Sequence, residues 1–287
     1  MRALLDAEVA GISPPRARNR WHLWTVPPKA LLLIGHLLMG LAIACVIAIG
    51  DAIGLQRRIP RERIAQWWHR DLLSILRVRV HQRGAPLRSP HLAVSNHVSW
   101  LDIPVIGACS QVRFVSRHDV AHWPVAGMLA DACGTFYVRR GGGNSKVTVA
   151  AMAPHLKHGS IVLFPEGTTT DGRGVLTFRA RLFEAALMSG APVQPIALRY
   201  ALDEDGADVA PFIGEMTLVG HIWRVLCCRE LHVEVRYFAA HVADEQTTRD
   251  GLASQSQRRI ERAVKNGRFV PPPQATRSRA TSGERYQ

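Results

Sequence analysis

The chain has 287 residues, which is enough for one sizeable α/β domain and an additional segment. A hydrophobic share of 47% with a charged share of 21% is typical of a globular protein with some membrane character. The net charge of +13 favours an anionic partner, such as a phospholipid surface, a phosphorylated substrate, an acidic protein or nucleic acid. The five cysteines are odd in number and include no Cys-x-x-Cys pair, which argues against a disulfide scaffold or a zinc site and indicates reduced thiols in a cytosol-facing protein.

The first part of the chain is predicted to attach the protein to a membrane. Residues 1–28 form a basic arm with several prolines, and Ala30 to Gly50 is a run of 21 residues without a charge. As a helix this run would be about 31 Å long, which matches one hydrocarbon core. Pro60 to Leu76 predicts an amphipathic helix with tryptophans among arginines, as in interfacial elements. We therefore assign residues 29–77 to membrane-embedded or interfacial helices, with a re-entrant helix or an ordinary core helix as the alternatives.

From residue 78 onward, strand and helix patterns alternate, which predicts an α/β domain over residues 78–266. The expected architecture is a mixed, largely parallel sheet flanked by helices, preceded by the membrane-associated helical segment. Residues 267–287 contain three consecutive prolines and a polar tail, which predicts disorder. The predicted strands are Val78–His81, Leu92–Val94, Val112–Val115, Thr135–Val138, Ile161–Phe164, Val193–Leu198 and Leu231–Phe238, and the predicted later helices are Leu101–Cys109, Val120–Ala132, Ser145–Lys157, Phe178–Met188 and Ser254–Lys265.

The segment 96–102, with the sequence NHVSWLD, lies where a predicted strand gives way to a helix. Ligands usually bind at this position in an α/β sheet. His97 and Asp102 are five residues apart, so they can meet only if the chain turns between them. A histidine held by a carboxylate is a general base, because the carboxylate fixes the tautomer and stabilises the imidazolium. By itself the spacing also fits an ordinary capped helix start beside a histidine.

Two further segments follow predicted strands. Gly134 to Arg140 is an apolar strand that ends in two arginines and runs into three glycines, an arrangement in which a guanidinium can hold a phosphate or carboxylate. Phe164 to Gly172 is a loop rich in hydroxyls and glycines, where Thr168 and backbone N–H groups can donate to an anion. Glu166 in this loop is expected to neutralise an arginine or to accept from a substrate hydroxyl. Because parallel strands end at the same edge of a sheet, the three segments should line one crevice.

In this order the segments resemble the motifs of the glycerolipid and lysophospholipid acyltransferases. The Asn-His-x4-Asp motif of that family matches Asn96, His97 and Asp102, and its Gly-x-Phe-x-x-Arg motif matches Gly134, Phe136 and Arg139. The Phe-Pro-Glu-Gly-Thr motif is present from Phe164 to Thr168, and an apolar strand with a proline is similar to Val193 and Pro195. The resemblance covers roughly residues 78–240. The chain departs from the family pattern at Arg117 and Arg179, where the family often has lysine.

The resemblance implies transfer of a fatty acyl group to a lipid hydroxyl from a thioester of acyl carrier protein or coenzyme A. His97 would be the general base and Asp102 would orient it, while Asn96, Arg139, Glu166, Gly167 and Thr168 would bind substrate. Neither a metal nor a tightly held cofactor is implied, and no acyl-enzyme is needed. The implied location is a bacterial-type inner membrane, with the active site facing the cytoplasm.

The acceptor is less sharply defined than the reaction. Lysophosphatidate, giving phosphatidate, is the first expectation. The alternative is a lyso-ornithine lipid, because the sequences of the SWLD and EGTTTDG segments are similar to those of that bacterial branch. A basic nucleic-acid-binding or membrane-binding protein without catalysis is the alternative of another class. The positive charge is spread along the chain and no nucleic-acid-binding motif is present, so a nucleic-acid partner is not expected.

Overall fold

A computed structural model describes residues 23–56, 58–139, 145–267 and 269–272. Its centre is one seven-stranded sheet in the order β1-β7-β6-β2-β5-β3-β4. Five neighbouring strands, from β6 to β4, are parallel to one another, whereas β7 pairs antiparallel with β6 and parallel with β1. The expected mixed, largely parallel sheet is confirmed. The strands are β1 Val78–Arg83, β2 Leu92–Ser95, β3 Val112–Arg117, β4 Phe136–Val138, β5 Ser160–Leu163, β6 Val193–Tyr200 and β7 Leu231–Tyr237.

Helices cover both faces of the sheet and bury two apolar clusters. One cluster contains residues of α2, α3 and α7, including Leu76, Ile106 and Val225. The other contains residues of α5, α6 and α8, including Met152 and Ile260. The central strands are apolar on both faces because each face is covered. The helices are α1 Val26–Ala52, α2 Arg61–Leu76, α3 Asp102–Cys109, α4 Ala126–Ala132, α5 Ser145–His155, α6 Glu184–Ser189, α7 Leu218–Cys227 and α8 Arg249–Lys265, with short 3-10 turns at Leu23–Thr25, His118–His122 and Ala180–Phe183.

Several helix predictions needed correction, each for a local reason. The single helix predicted over 120–132 is split in two, because Pro124 favours extended backbone at Trp123, whose φ of −74° and ψ of 128° end the first turn. Helix α8 begins before the predicted start, because Thr248 caps it by accepting from the N–H of Gly251. Helix α7 was not predicted at all. Its first turn is capped in the same way by Thr217, which accepts from Gly220.

Helix α1 differs from the other helices in what it exposes. It is long and apolar enough to cross a membrane, and only 22% of its most apolar window is buried, which argues against an ordinary core helix. Two contacts fix its ends to the rest of the chain. Near its start, Lys29 donates to the carbonyls of Leu226 and Cys228 at the end of α7. Near its end, Asp51 pairs with Arg61 at the start of α2. The basic arm predicted over 1–28 lies mostly outside the described residues, as does most of the tail predicted over 267–287.

Candidate active site

The loop between β2 and α3, residues 96–101, which we call the catalytic loop, folds His97 back onto Asp102. The Nδ1 atom of His97 lies 2.8 Å from Oδ2 of Asp102, the first residue of α3. The change from strand to helix thus supplies the turn that the five-residue spacing requires. The ring of His97 stacks on Phe164 with 4.2 Å between centroids, and its side chain is 19% exposed. One edge of the imidazole is therefore fixed by Asp102, while part of the ring stays open to solvent.

Asp102 is fully buried, and both oxygens of its carboxyl group take part in hydrogen bonds. Its Oδ2 accepts from the backbone N–H groups of Val98 at 2.6 Å and Ser99 at 2.9 Å, in addition to the contact with His97. Its Oδ1 accepts from the hydroxyl of Tyr200 at 2.7 Å. Because a carboxylate with these donors is an acceptor only, we assign the Nδ1 proton to His97. Nε2 then carries the lone pair, which is the arrangement of a general base.

Asn96 and Glu166 are used to hold the loop. The side-chain amide of Asn96 donates to the Leu198 carbonyl at 3.0 Å, and its oxygen accepts from the Leu198 N–H at 2.8 Å. Glu166 accepts from the N–H of His97 and from the N–H of Leu176, each at 2.8 Å. Burial raises the pKa of Glu166, and these two backbone donors oppose that effect.

Both side chains were expected to bind substrate, and Glu166 was expected to neutralise an arginine or to accept from a substrate hydroxyl. In the structure they are almost fully buried, and their hydrogen bonds go to backbone groups. These hydrogen bonds hold the two side chains in place within the loop, and their binding of substrate stays a prediction.

Gly167 and Thr168 lie in the turn after β5, next to the catalytic loop. Gly167 has φ of +72°, a conformation that favours glycine, and a Cβ at this position would lie 2.9 Å from the guanidinium of Arg179, which would have to move. Thr168 is exposed. The same turn is joined to the catalytic loop by Thr170, whose N–H donates to the His97 carbonyl at 2.9 Å. Arg179 therefore places positive charge beside the turn that holds His97.

A cluster of mixed charge lies at the carboxyl ends of β3 and β4. Arg117 forms a two-atom ion pair with Asp119, and Arg139 donates to Nε2 of His118 at 3.1 Å. Below them, the hydroxyl of Tyr137 donates to Asp131 at 2.6 Å. This mixed-charge cluster comprises Arg117, His118, Asp119, Asp131 and Arg139.

The strand order places the mixed-charge cluster at a distance from His97. Three strand spacings separate β2 from β4, which is about 14 Å between their backbones. The sheet therefore brings Arg139 to the same edge as His97, but the two side chains are not neighbours. Arg140 and the glycines 141–143 lie outside the described residues.

Two partners of the catalytic loop were missed from the sequence. Tyr200 lies at the end of β6, beside β2, and donates to Asp102. His221 of α7 accepts from Nε1 of Trp100 at 2.9 Å. Tyr200 could have been suggested by its place two residues after the end of the predicted strand Val193–Leu198. No local pattern points to His221, because it lies 121 residues from Trp100.

Comparisons with known proteins agree with this geometry. The pattern that defines the family named Acyltransferase matches residues 77–199, which include His97, Asp102, Arg139 and Glu166. The chain is 36% identical over 242 residues to a lyso-ornithine lipid O-acyltransferase of Pseudomonas aeruginosa, covering 82% of this chain and 93% of that protein. This chain belongs to the acyltransferase family. The resemblance noted from the motifs is thereby confirmed.

Two further relatives are named for a glycerophosphate acceptor. A 1-acyl-sn-glycerol-3-phosphate acyltransferase of Neisseria gonorrhoeae is 32% identical, over 60% of this chain and 69% of that protein. The crystal structure of the 1-acyl-sn-glycerophosphate acyltransferase from Thermotoga maritima has a TM-score of 0.63 at 16% identity, covering 87% of this chain and 98% of that one. The second likeness shows the fold, and the first shows that two acceptor classes are represented among the relatives.

Proposed function

We propose that this acyltransferase moves a fatty acyl group from a thioester to the free hydroxyl of a lyso-ornithine lipid in the membrane. The contact between His97 Nδ1 and Asp102 Oδ2 carries the proposal, because it leaves Nε2 as a base at the ligand-binding edge of the sheet. Lysophosphatidate, the acceptor first expected from the motifs, is the second candidate.

The reaction needs only these two residues as proton handlers. Nε2 of His97 removes the proton from the acceptor hydroxyl as its oxygen attacks the thioester carbonyl. The carbon–sulfur bond then breaks, and the imidazolium returns the proton to the leaving thiolate. Asp102 stabilises the imidazolium between these two transfers, as in other histidine bases paired with a carboxylate. The acceptor oxygen is itself the nucleophile, so no acyl-enzyme forms.

Two observations favour the amino-acid lipid as acceptor. The relative with 93% of its length covered bears that name, whereas the glycerophosphate relative is covered over 69%. The mixed-charge cluster also contains both signs, with Arg139 and Arg117 beside Asp119. An ornithine headgroup carries a carboxylate and an ammonium, and it can use both signs. A phosphate headgroup would use the arginines alone, and it would be repelled by the carboxylates.

The donor is an acyl carrier protein or coenzyme A thioester, and the exposed Thr168 and Arg179 next to the His97 turn are available to substrate. The acceptor is a membrane lipid, which accords with the apolar exposed face of α1. We place the enzyme at a bacterial inner membrane with the His97 edge on the cytoplasmic side, where acyl thioesters are made. Gly167 keeps the turn close to Arg179 and stays in the proposed substrate site.

An acceptor panel tests this proposal. Purified protein in mild detergent is supplied with labelled acyl carrier protein and acyl-CoA donors, together with lyso-ornithine lipid, lysophosphatidate, lysophosphatidylethanolamine or lysophosphatidylcholine. The expected result is the highest kcat/KM with lyso-ornithine lipid. A higher value with lysophosphatidate would replace the acceptor and keep the reaction. Absence of transfer to every acceptor, with folded protein and both donors, would overturn the proposed reaction.

A further inference from the structure

Helix α7 has one face in the protein core and one face exposed. Its buried face includes His221, Val225 and Leu226. On its outer face, Val219 is 78% exposed and Trp223 is 51% exposed, and their four-residue spacing puts them on the same side of the helix. Such an amphipathic helix with tryptophan on its outer face is typical of elements that lie at a lipid surface.

The exposed apolar surface extends into the segment that leads to α7. Ile213 and Met216 are also exposed, so four large apolar side chains are presented within eleven positions. Single exposed apolar residues are ordinary, whereas a contiguous group of this kind marks a binding surface. We call Ile213, Met216, Val219 and Trp223 the α7 patch.

The α7 patch continues the apolar surface of α1. Helix α7 packs against α1 and against the 3-10 turn before it, where Leu23 and Trp24 are exposed. Lys29 of α1 donates to the carbonyls of Leu226 and Cys228, and this contact holds the start of α1 at the end of α7. A positive group is favourable there, because the carbonyls at a helix C-terminus carry partial negative charge. The start of α1 and the end of α7 are therefore held together.

The α7 patch is also joined directly to the catalytic loop. The N–H of Phe212 donates to the Val98 carbonyl at 3.0 Å, and Trp100 donates to Nδ1 of His221 at 2.9 Å. The other ring nitrogen of His221 donates to the Pro211 carbonyl at 3.1 Å. Burial, and then the nearby Arg224, lower the pKa of His221, so its Nδ1 remains available as an acceptor. Few residues separate the patch from the loop that carries His97.

We infer that the α7 patch is a second membrane-contact surface, which seats the catalytic edge of the sheet on the bilayer from which the acceptor lipid is drawn. The occupant is the lipid surface itself. An acidic carrier protein is disfavoured, because the patch is apolar and the exposed residue within it that carries charge is Glu215. The inference rests on the proposed function only in naming the lipid as acceptor. The contact with the bilayer is measurable without catalysis.

A fluorescent label tests the contact. Val219→Cys and Val242→Cys are each introduced into full-length protein with Cys45→Ala, because Cys45 is an exposed cysteine that would also take the label. Val242 is 76% exposed and lies outside the patch, so it matches Val219 as a control. Each protein is labelled with an environment-sensitive dye and mixed with vesicles of phosphatidylethanolamine and phosphatidylglycerol. The dye at position 219 is expected to shift to the blue on vesicle binding, and the dye at position 242 is expected to keep its emission.

A second pair of variants tests the consequence for turnover. Val219→Glu is compared with Val242→Glu on acceptor in vesicles and on a short-chain acceptor that stays monomeric. Removing one valine from an apolar phase costs enough to predict a loss of about tenfold or more on vesicles for Val219→Glu. Turnover of the monomeric acceptor should stay near that of the unaltered protein, because His97 and Asp102 are untouched.

The outcomes separate the inference from the proposed function. If the dye at position 219 remains as in water while the protein is bound to vesicles, the α7 patch does not contact lipid and the inference is wrong. If light scattering shows that Val219→Glu converts a dimer to a monomer, the occupant is a second copy and the inference is also wrong. If the dye shifts but no acceptor is acylated, the contact stands and the proposed function fails.

Discussion

The catalytic loop buries polar side chains, whereas helix α1 exposes apolar ones. Asn96 and Asp102 are fully buried polar side chains, and each meets backbone or side-chain partners. On α1, by contrast, Leu31 and Leu38 are apolar side chains that are mostly exposed. A buried polar group is costly unless it is hydrogen-bonded, and an exposed apolar group is costly unless water is excluded. The loop is therefore complete within the chain, whereas α1 calls for an apolar phase outside it.

The largest expected effect comes from placing charges on the exposed apolar face of α1. We predict that the full-length protein stays with membranes through high salt and alkaline carbonate, whereas a variant with Ile34→Glu and Leu38→Glu is released. These residues, four positions apart on α1, are both exposed. Transfer of each apolar side chain is worth about 1.5–3 kcal/mol, and seven large ones are exposed on α1 and at the residue that follows it. Val242→Glu is the control. If the unaltered protein washes off, surface charge alone holds it at the membrane. The seven are Leu31, Leu32, Ile34, Leu38, Val46, Ile49 and Ile53.

The second prediction breaks the completed loop. A positioned general base contributes about 10²- to 10⁴-fold, so His97→Ala should lower kcat by that factor. Asp102→Asn should be severely impaired as well, because it removes the charge that holds the tautomer. Since the two residues act as one unit, the double variant should be little worse than His97→Ala.

The matched control for the loop is Ser99→Ala. The hydroxyl of Ser99 is buried and has no hydrogen-bond partner among the described residues, so its removal should leave kcat nearly unchanged. Incubation with acyl donor alone should give no covalent acyl-protein by mass spectrometry. A stable acyl-enzyme, or near-normal turnover in His97→Ala, would contradict the direct-transfer mechanism.

The third prediction concerns the packing of α2 against α3, where the helix that follows α1 meets the helix that follows the catalytic loop. His69 of α2 is almost fully buried against α3, and burial lowers its pKa to about 4. Below pH ~6.5 the unfolded chain binds this proton more readily than the folded one. The free energy of unfolding is therefore unaffected by this group above pH ~6.5. It falls by up to about 3 kcal/mol as the pH decreases towards 4. Thermal unfolding in mild detergent should show this loss, and His69→Gln should make it shallower. An unchanged slope in His69→Gln would show that other groups carry the acid sensitivity.

The fourth prediction concerns the mixed-charge cluster. A charge-assisted contact to an anionic headgroup is worth about 1.5–3 kcal/mol, so Arg139→Ala should raise the acceptor KM by about one to two decades. The KM of the acyl donor should move much less. Arg258→Ala, an equal change of charge on α8, is the control. If the donor KM rises instead, Arg139 belongs to the donor site.

The features predicted correctly from the sequence are those that neighbouring residues along the chain determine. The seven strands were found as short apolar runs, and the three motifs at their ends meet at one edge because those strands are parallel. Contacts between distant residues were not found. The hydrogen bond from the N–H of His97 to the carboxylate of Glu166, 69 residues away, is one of them. Helix α7 was missed because its helical pattern is short and interrupted by Gly220.

The contact of Tyr200 with Asp102 was also not predicted. Its removal gives the smallest expected effect, but one that distinguishes a functional hydroxyl from a space-filling one. The hydroxyl of Tyr200 donates to Oδ1 of Asp102, and burial together with that carboxylate raises its pKa well above 10, so it remains a donor at any working pH. Tyr200→Phe should lower kcat about tenfold, because one bond to a charged group is lost. Without this donor the Asp102 carboxylate attracts the imidazolium more strongly. When kcat/KM is plotted against pH, its fall on the acid side (the acid limb) should therefore move to higher pH. Loss of packing alone would not cause this shift. Tyr237→Phe removes another buried hydroxyl, at the end of β7, and should leave that limb in place. An unshifted limb in Tyr200→Phe would mean that its hydroxyl only fills space.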